Sequence, residues 1–258
     1  QDAAVFGKVF WLGAACAVGG VEQGEGQEQL HSLALKEFVL RERRSSVAGE
    51  EEYAFRHLLV RDVAYGQIPR GARAERHERA AAWIEGLGRT EDHAEMLAHH
   101  YLEALRLRRT TGAEESAELA ARARTAAHDA GDRALALGAL PAAARFYEEA
   151  LELSAPADEE RPELLLAYAR SRVDDAGLDD SILLEATEGL LRTGRVEAAA
   201  EGQARLAGVW LNRGDSVRAL ECLERGRELL AERGPSPAKA FVLQELARVL
   251  MMADEFDR

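Results

Sequence analysis

Residues 53–67 read YAFRHLLVRDVAYGQ. Tyr53-Ala54-Phe55 is strand-like and runs straight into a predicted helix that opens on Arg56-His57. Apolar residues at Leu58, Leu59, Val63 and Ala64 give that helix a core face, and Pro69 closes it. Just upstream, residues 39–47 and 52–55 read as two short strands around Ala48-Gly49-Glu50, whose glycine and acids suit a tight turn. The hairpin stretch Arg41-Glu42-Arg43-Arg44-Ser45-Ser46 is basic. A cationic pair at a strand-to-helix junction, behind a basic hairpin, is an unusual way to begin a core helix.

Before the hairpin, Leu30, Leu33, Leu35 and Phe38 mark a second helix, preceded by a glycine- and glutamate-rich loop at 19–27. Residues 3–20 are almost continuously apolar. Lys8 would cost about 2.5–3.5 kcal/mol at a bilayer centre, and Gly7, Gly13, Gly19 and Gly20 interrupt the run. A buried helix over 2–17 is therefore expected, not a membrane span. Helix, helix, hairpin, helix is the order of a winged-helix domain, assigned here to residues 1–68. Residues 69–112 read as a helical connector. Its first helix presents Ala80, Ala81, Trp83, Ile84 and Leu87, and its second Met96, Leu97, Tyr101 and Leu105. Gly88 suits a helix stop.

Residues 113–258 repeat. Ala130-Gly131, Ala134, Gly138, Leu140, Ala143, Tyr147, Ala150 and Pro156 fall at the spacing of a tetratricopeptide repeat. Small residues let two antiparallel helices approach closely, and the aromatic and leucine positions fill the space between them. A second pair covers about 162–193, with Gly177 at its turn. A third covers about 196–233, carrying Trp210, Gly214, Ala219, Leu223 and Gly226. A helix from about 237 begins a fourth. The predicted class is all-α with one small β-hairpin: a winged helix, a connector and a tetratricopeptide-repeat α-solenoid.

Charge is uneven. Basic and acidic side chains nearly balance through residue 110, and almost all of the net −13 lies beyond it. That disfavours non-specific binding of nucleic acid or anionic membrane by the repeats. The predicted second helix holds one lysine against two acids, so a DNA-reading wing is also disfavoured. Cys16 and Cys222 are too far apart for a ligand pair or a disulfide framework, which suits a reducing cytoplasm. Gly7-Lys8 lacks the upstream glycine and following Ser or Thr of a phosphate loop. His93, His99 and His100 share a helix without an HExxH arrangement and are expected to be ordinary histidines. Neither a catalytic constellation nor a metal site is predicted, and the chain is not expected to be an enzyme.

His57 at a helix N-terminus, with Arg56 beside it, could touch a phosphate oxygen presented by another domain. Alternatively, both side chains bond only within their own domain. By repeat register the groove shows His128, Asp132, Ser171, Asp174, Asp175 and Asn212. This acidic to polar set implies a cationic or polar partner.

The segment 53–65, followed by Pro69 and a repeat array, resembles multidomain bacterial regulators of the STAND class. In these, an AAA-like ATPase domain precedes a winged helix and tetratricopeptide repeats. Their winged helix bears a methionine-histidine-aspartate motif whose histidine contacts nucleotide. Here Arg56-His57-Leu58 stands at that junction, matching only the histidine. The resemblance implies that this chain is part of a longer protein whose upstream ATPase domain binds ATP or ADP with Mg2+. Some relatives also carry a nucleotidyl cyclase or a DNA-binding regulator domain. It implies no cofactor in residues 1–258, an upstream ATPase domain as partner, and a protein, peptide or small-molecule signal at the repeats.

Overall fold

The apolar run 3–20 does not form one helix. A 3-10 turn, Asp2–Phe6, ends at Gly7, whose φ of 101° is open only to glycine. The chain then extends as strand β1 (Val9–Trp11) before helix α1 (Leu12–Gly19). Val9-Phe10-Trp11, β-branched and aromatic, pairs antiparallel with a strand instead of coiling. The expected helix over 2–17 and the expected two-stranded hairpin are both corrected by this third strand. The computed structural model describes residues 1–88, 90–112, 116–172 and 178–256, with backbone only at 90–91 and 252–256.

Helix α2 (Gln23–Leu35) follows, then β2 (Val39–Arg41), β3 (Glu52–Phe55) and α3 (Leu58–Gly66). The sheet order is β1–β3–β2, with Phe10 opposite Tyr53 and Leu40 opposite Ala54. Phe10 lies 5.9 Å from the Tyr53 ring and 5.2 Å from Phe55, and packs with Leu30 and Val39 into a small core. Aromatic pairs of this kind add about 0.5–1.5 kcal/mol beyond the area they bury.

Helices α4 (Arg70–Gly86) and α5 (Ala94–Thr111) pack along one another. Ala81 and Ile84 of α4 and Leu97, Ala98, Tyr101 and Leu105 of α5 are buried, close to the sequence expectation, while Ala80 packs with Val5, Val18 and Ile68. Trp83 stacks on Trp11 at 5.7 Å, which ties α4 to the sheet. Two histidines, His77 and His100, are also fully buried there. Burial pushes His77 down to about 3, helped by the nearby His99, Arg61 and Arg73, and holds His100 well below its ordinary value. Both are neutral at pH 7.

The remaining helices are α6 (Ala117–Ala136), α7 (Leu140–Glu152), α8 (Arg161–Ser171), α9 (Asp180–Arg192), α10 (Val196–Asn212), α11 (Ser216–Leu229) and α12 (Pro237–Phe256). The chain forms two compact units, Gln1–Ala130 and Gly131–Arg258, which divide inside α6.

In the second unit each helix packs on its neighbour in sequence. In addition α8 touches α10, and α10 touches α12. Helix pairs whose first members also stack form a solenoid, with α8, α10 and α12 lining one face. The chain thus has the all-α, repeat-solenoid architecture read from its sequence. Small residues set the spacing. A Cβ on Gly131 would sit 2.6 Å from the Tyr147 ring, and one on Gly202 2.7 Å from Thr187 Oγ1. Ala200, Ala204 and Ala207 of α10 meet Ala219 and Leu223 of α11, and Val242, Leu246 and Val249 of α12.

Gly131→Ala is predicted to destabilise the chain by about 1–3 kcal/mol, the usual cost of overpacking. Gly208→Ala, also within a helix but with nothing within 4 Å of a new Cβ, should be neutral or stabilise by up to about 1 kcal/mol. Urea unfolding of both variants measures the contrast.

Candidate functional sites: the Arg56–His57 junction and the repeat groove

The junction forms because β3 ends at Phe55 and His57, in an extended conformation, becomes the N-cap of α3. Its side chain makes no capping hydrogen bond and is exposed. The Arg56 backbone N–H donates to the Phe38 carbonyl, and its guanidinium pairs with Glu37 at 3.1 Å. Glu37 sits at φ 59° in the turn between α2 and β2, so the ion pair ties that turn to the start of α3. Arg56 is therefore partly committed to its own domain.

Helix α3 departs from its expected place. No residue on it is fully buried; Leu58, Leu59 and Val63 are 54%, 72% and 53% exposed. Its inner face is instead Val60, Ala64 and Tyr65, packed against the Phe10–Phe55 core. Arg61 fastens it by donating Nε–H to the Ala4 carbonyl at 2.8 Å. Two apolar stripes occupy one helix, and among the described residues only the weaker one is covered. In α2, Glu25 and Glu28 are exposed. Like charge there opposes phosphate.

In the second unit, α8, α10 and α12 line a concave cavity of about 450 Å³. Arg172, Arg205, Asn212, Phe241, Glu245 and Arg248 face it. The Arg205 guanidinium lies 5.2 Å from the centre of the Phe241 ring, and Arg172 lies 5.7 Å from that of Tyr168. Arg248 chelates Glu245. Among the described lining residues three guanidiniums face one carboxylate, so the cavity suits an anionic group.

Of the six residues assigned to the groove by register, Asn212 lines this cavity. Ser171 is buried and donates to the Tyr168 carbonyl of its own helix. Asp132 accepts the Tyr147 hydroxyl at 2.7 Å. His128 belongs to the first unit. Asp174 and Asp175, like the turn Gly177, lie outside the described residues. The register missed the three arginines. Arginine on a helix reads as a solvated surface residue, and only the stacking of first helices turns these positions inward.

A charge relay braces the groove. Arg170 of α8 makes a two-pronged bond to Glu201 of α10, at 2.9 and 2.6 Å, and Arg205 adds a third contact at 2.8 Å. Burial alone would push the Glu201 carboxyl up. Its guanidinium partners outweigh burial and hold it below the usual carboxylate range.

No family model and no curated protein matches the chain. Among solved structures it is similar to BtubC (BKLC) from P. vanneervenii, at 20% identity and a TM-score of 0.47, covering 76% of this chain and 80% of that one. It is also similar to a Signal Transduction ATPase with Numerous Domains with a tetratricopeptide repeat sensor, PH0952 from Pyrococcus horikoshii. That match has 12% identity and a TM-score of 0.41, and covers 99% of this chain and 47% of that one. The repeat architecture rests on the chain's own helix packing.

A lowered folded-state pKa for Glu201 stabilises the fold above the unfolded value of about 4.3, and that stabilisation is lost as pH falls through the folded value. Glu201→Gln should therefore lower stability at pH 7. It should also flatten the fall in stability between about pH 5 and pH 3, as read from urea midpoints across that range.

Proposed function

We propose that this chain is the regulatory and docking arm of a nucleotide-gated signalling protein. Its repeats hold a partner segment in the groove of α8, α10 and α12. The observation that carries this reading is the groove itself: a concave helix face on which Arg172, Arg205 and Arg248 flank Phe241 and Asn212. Such a face suits an extended or helical peptide carrying carboxylates beside apolar side chains.

The winged-helix reading of residues 1–68 draws support from the sheet order β1–β3–β2 and from two helices between its first two strands. Coupling to an upstream ATPase domain draws support from α3. Its uncovered Leu58, Leu59 and Val63 lie on the helix that His57 caps, so one docking event would cover the apolar stripe and bring a phosphate near the imidazole. Partner binding would then have to favour one of two arrangements of that contact to act as a switch. Domain limits at 68/69 and 112/113 belong to the same proposal.

A short fluorescein-labelled peptide alternating leucine and glutamate should bind the chain, and its leucine–lysine counterpart should not. Arg248→Glu should weaken binding at least tenfold, about 1.4 kcal/mol, and added salt should weaken it too. Equal binding of both peptides, or of the variant, would contradict the groove assignment. In the longer protein, ATPase domain included, His57→Ala should lower ADP affinity at least tenfold. An unchanged affinity would leave His57 a structural residue.

A further inference from the structure

Among the described residues, a cluster of three metal-ligating side chains belongs to neither site. His77 on α4 and His99 and His100 on α5 bring their ring nitrogens within 4.8 Å of one another. Their ring centres are 5.9 Å (His77–His99), 5.1 Å (His77–His100) and 5.3 Å (His99–His100) apart. Bonds of about 2.0–2.1 Å from nitrogen to a zinc-like ion put three imidazoles with centres about 5 Å apart around it. The observed triangle has that size.

Orientation points the same way. His77 Nδ1 lies 2.9 Å from His100 Nδ1, at hydrogen-bond distance, which brings two ligand atoms side by side, while His77 Nε2 lies 3.0 Å from the Tyr65 hydroxyl. Two nitrogens on one tetrahedral ion stand about 3.3 Å apart, so the rings need to open by only a few tenths of an ångström. A ligating histidine characteristically gives its second N–H to an oxygen that fixes ring and tautomer; Tyr65 Oη stands where it can accept that proton. Phe6 packs edge-on against His100 at 5.1 Å and holds its ring from the other side. His99 is exposed and supplies an entry side.

The surroundings favour nitrogen-seeking metals over hard cations. Arg61 and Arg73 both lie over the Tyr65 ring, at 4.8 and 4.6 Å, and raise the cost of any dication. Each is partly committed, Arg61 to the Ala4 carbonyl and Asp62, Arg73 to the Ile68 and Gly66 carbonyls. Glu103, a turn beyond His99 and His100, brings the opposing charge close enough to raise the Tyr65 hydroxyl, after burial. Calcium and magnesium, which need several oxygens, find none of their ligand set in the three imidazoles.

We propose that His77, His99 and His100 bind a transition-metal dication of the zinc type, fastening α4 to α5. Water completes the shell. The fastened helices carry Tyr65 contacts through His77, so the metal would also stiffen α3, which bears Leu58, Leu59 and Val63.

The chain stripped with chelator, titrated with Zn2+ by calorimetry, should take up one equivalent with a dissociation constant of about micromolar or tighter, and its melting temperature should rise with Zn2+. His99→Gln, at an exposed position, should fold normally yet weaken that equivalent at least tenfold and abolish the thermal shift. His93→Gln should change neither, and His77→Gln, if it folds, should behave as His99→Gln. Absence of saturable uptake, or equal uptake by His99→Gln and the unaltered chain, would overturn the proposal and leave Tyr65–His77–His100 a hydrogen-bonded core chain.

Discussion

Close backbone approach between helices is the constraint on which the second unit depends. Gly131 accepts the Tyr147 ring, Gly202 accepts Thr187, and the Ala200–Ala204–Ala207 stripe of α10 lies against α11 and α12. Apolar burial supplies the driving force at about 25 cal/mol per Å². Small residues determine where it can be collected, because a larger side chain at any of these points would push a helix pair apart. Once α8, α10 and α12 stack at that spacing, their outward positions become one concave face. Arg172, Arg205 and Arg248 then converge without any residue between them in sequence requiring it.

The same logic explains the ion relay at the groove. Arg170, Glu201 and Arg205 come from two stacked helices and bond at 2.6–2.9 Å. A partly buried carboxylate of this kind gains little net stability over an apolar substitute. What it does supply is fixed geometry: Arg205, bonded to Glu201, is held with its guanidinium over Phe241.

Periodicity made the repeats legible. Ala130, Gly131, Ala134, Ala143, Tyr147 and Ala150 recur at a spacing that only paired helices satisfy, and the alanines and Tyr147 among them are fully buried. The strand β1 was illegible because a continuous apolar run reads equally as helix or strand; its fate is decided by Gly7 and by pairing to β3, more than forty residues later. Helix α3 misled because its strongest apolar stripe, Leu58, Leu59 and Val63, faces outward, while the covered stripe of Val60, Ala64 and Tyr65 looks weaker. His77 escaped notice beside His99 and His100 because the three meet only when α4 folds back on α5. Groove arginines and clustered histidines share that origin: both are products of helix packing, invisible to local spacing.

Amide hydrogen exchange of the chain with and without the leucine–glutamate peptide tests the central claim most directly, since it reports which helix faces the partner covers. The account predicts added protection on α8, α10 and α12, around Arg172, Arg205 and Arg248, with α9 and α11 little changed. Protection centred on α9 and α11, or none at peptide saturation, would contradict it.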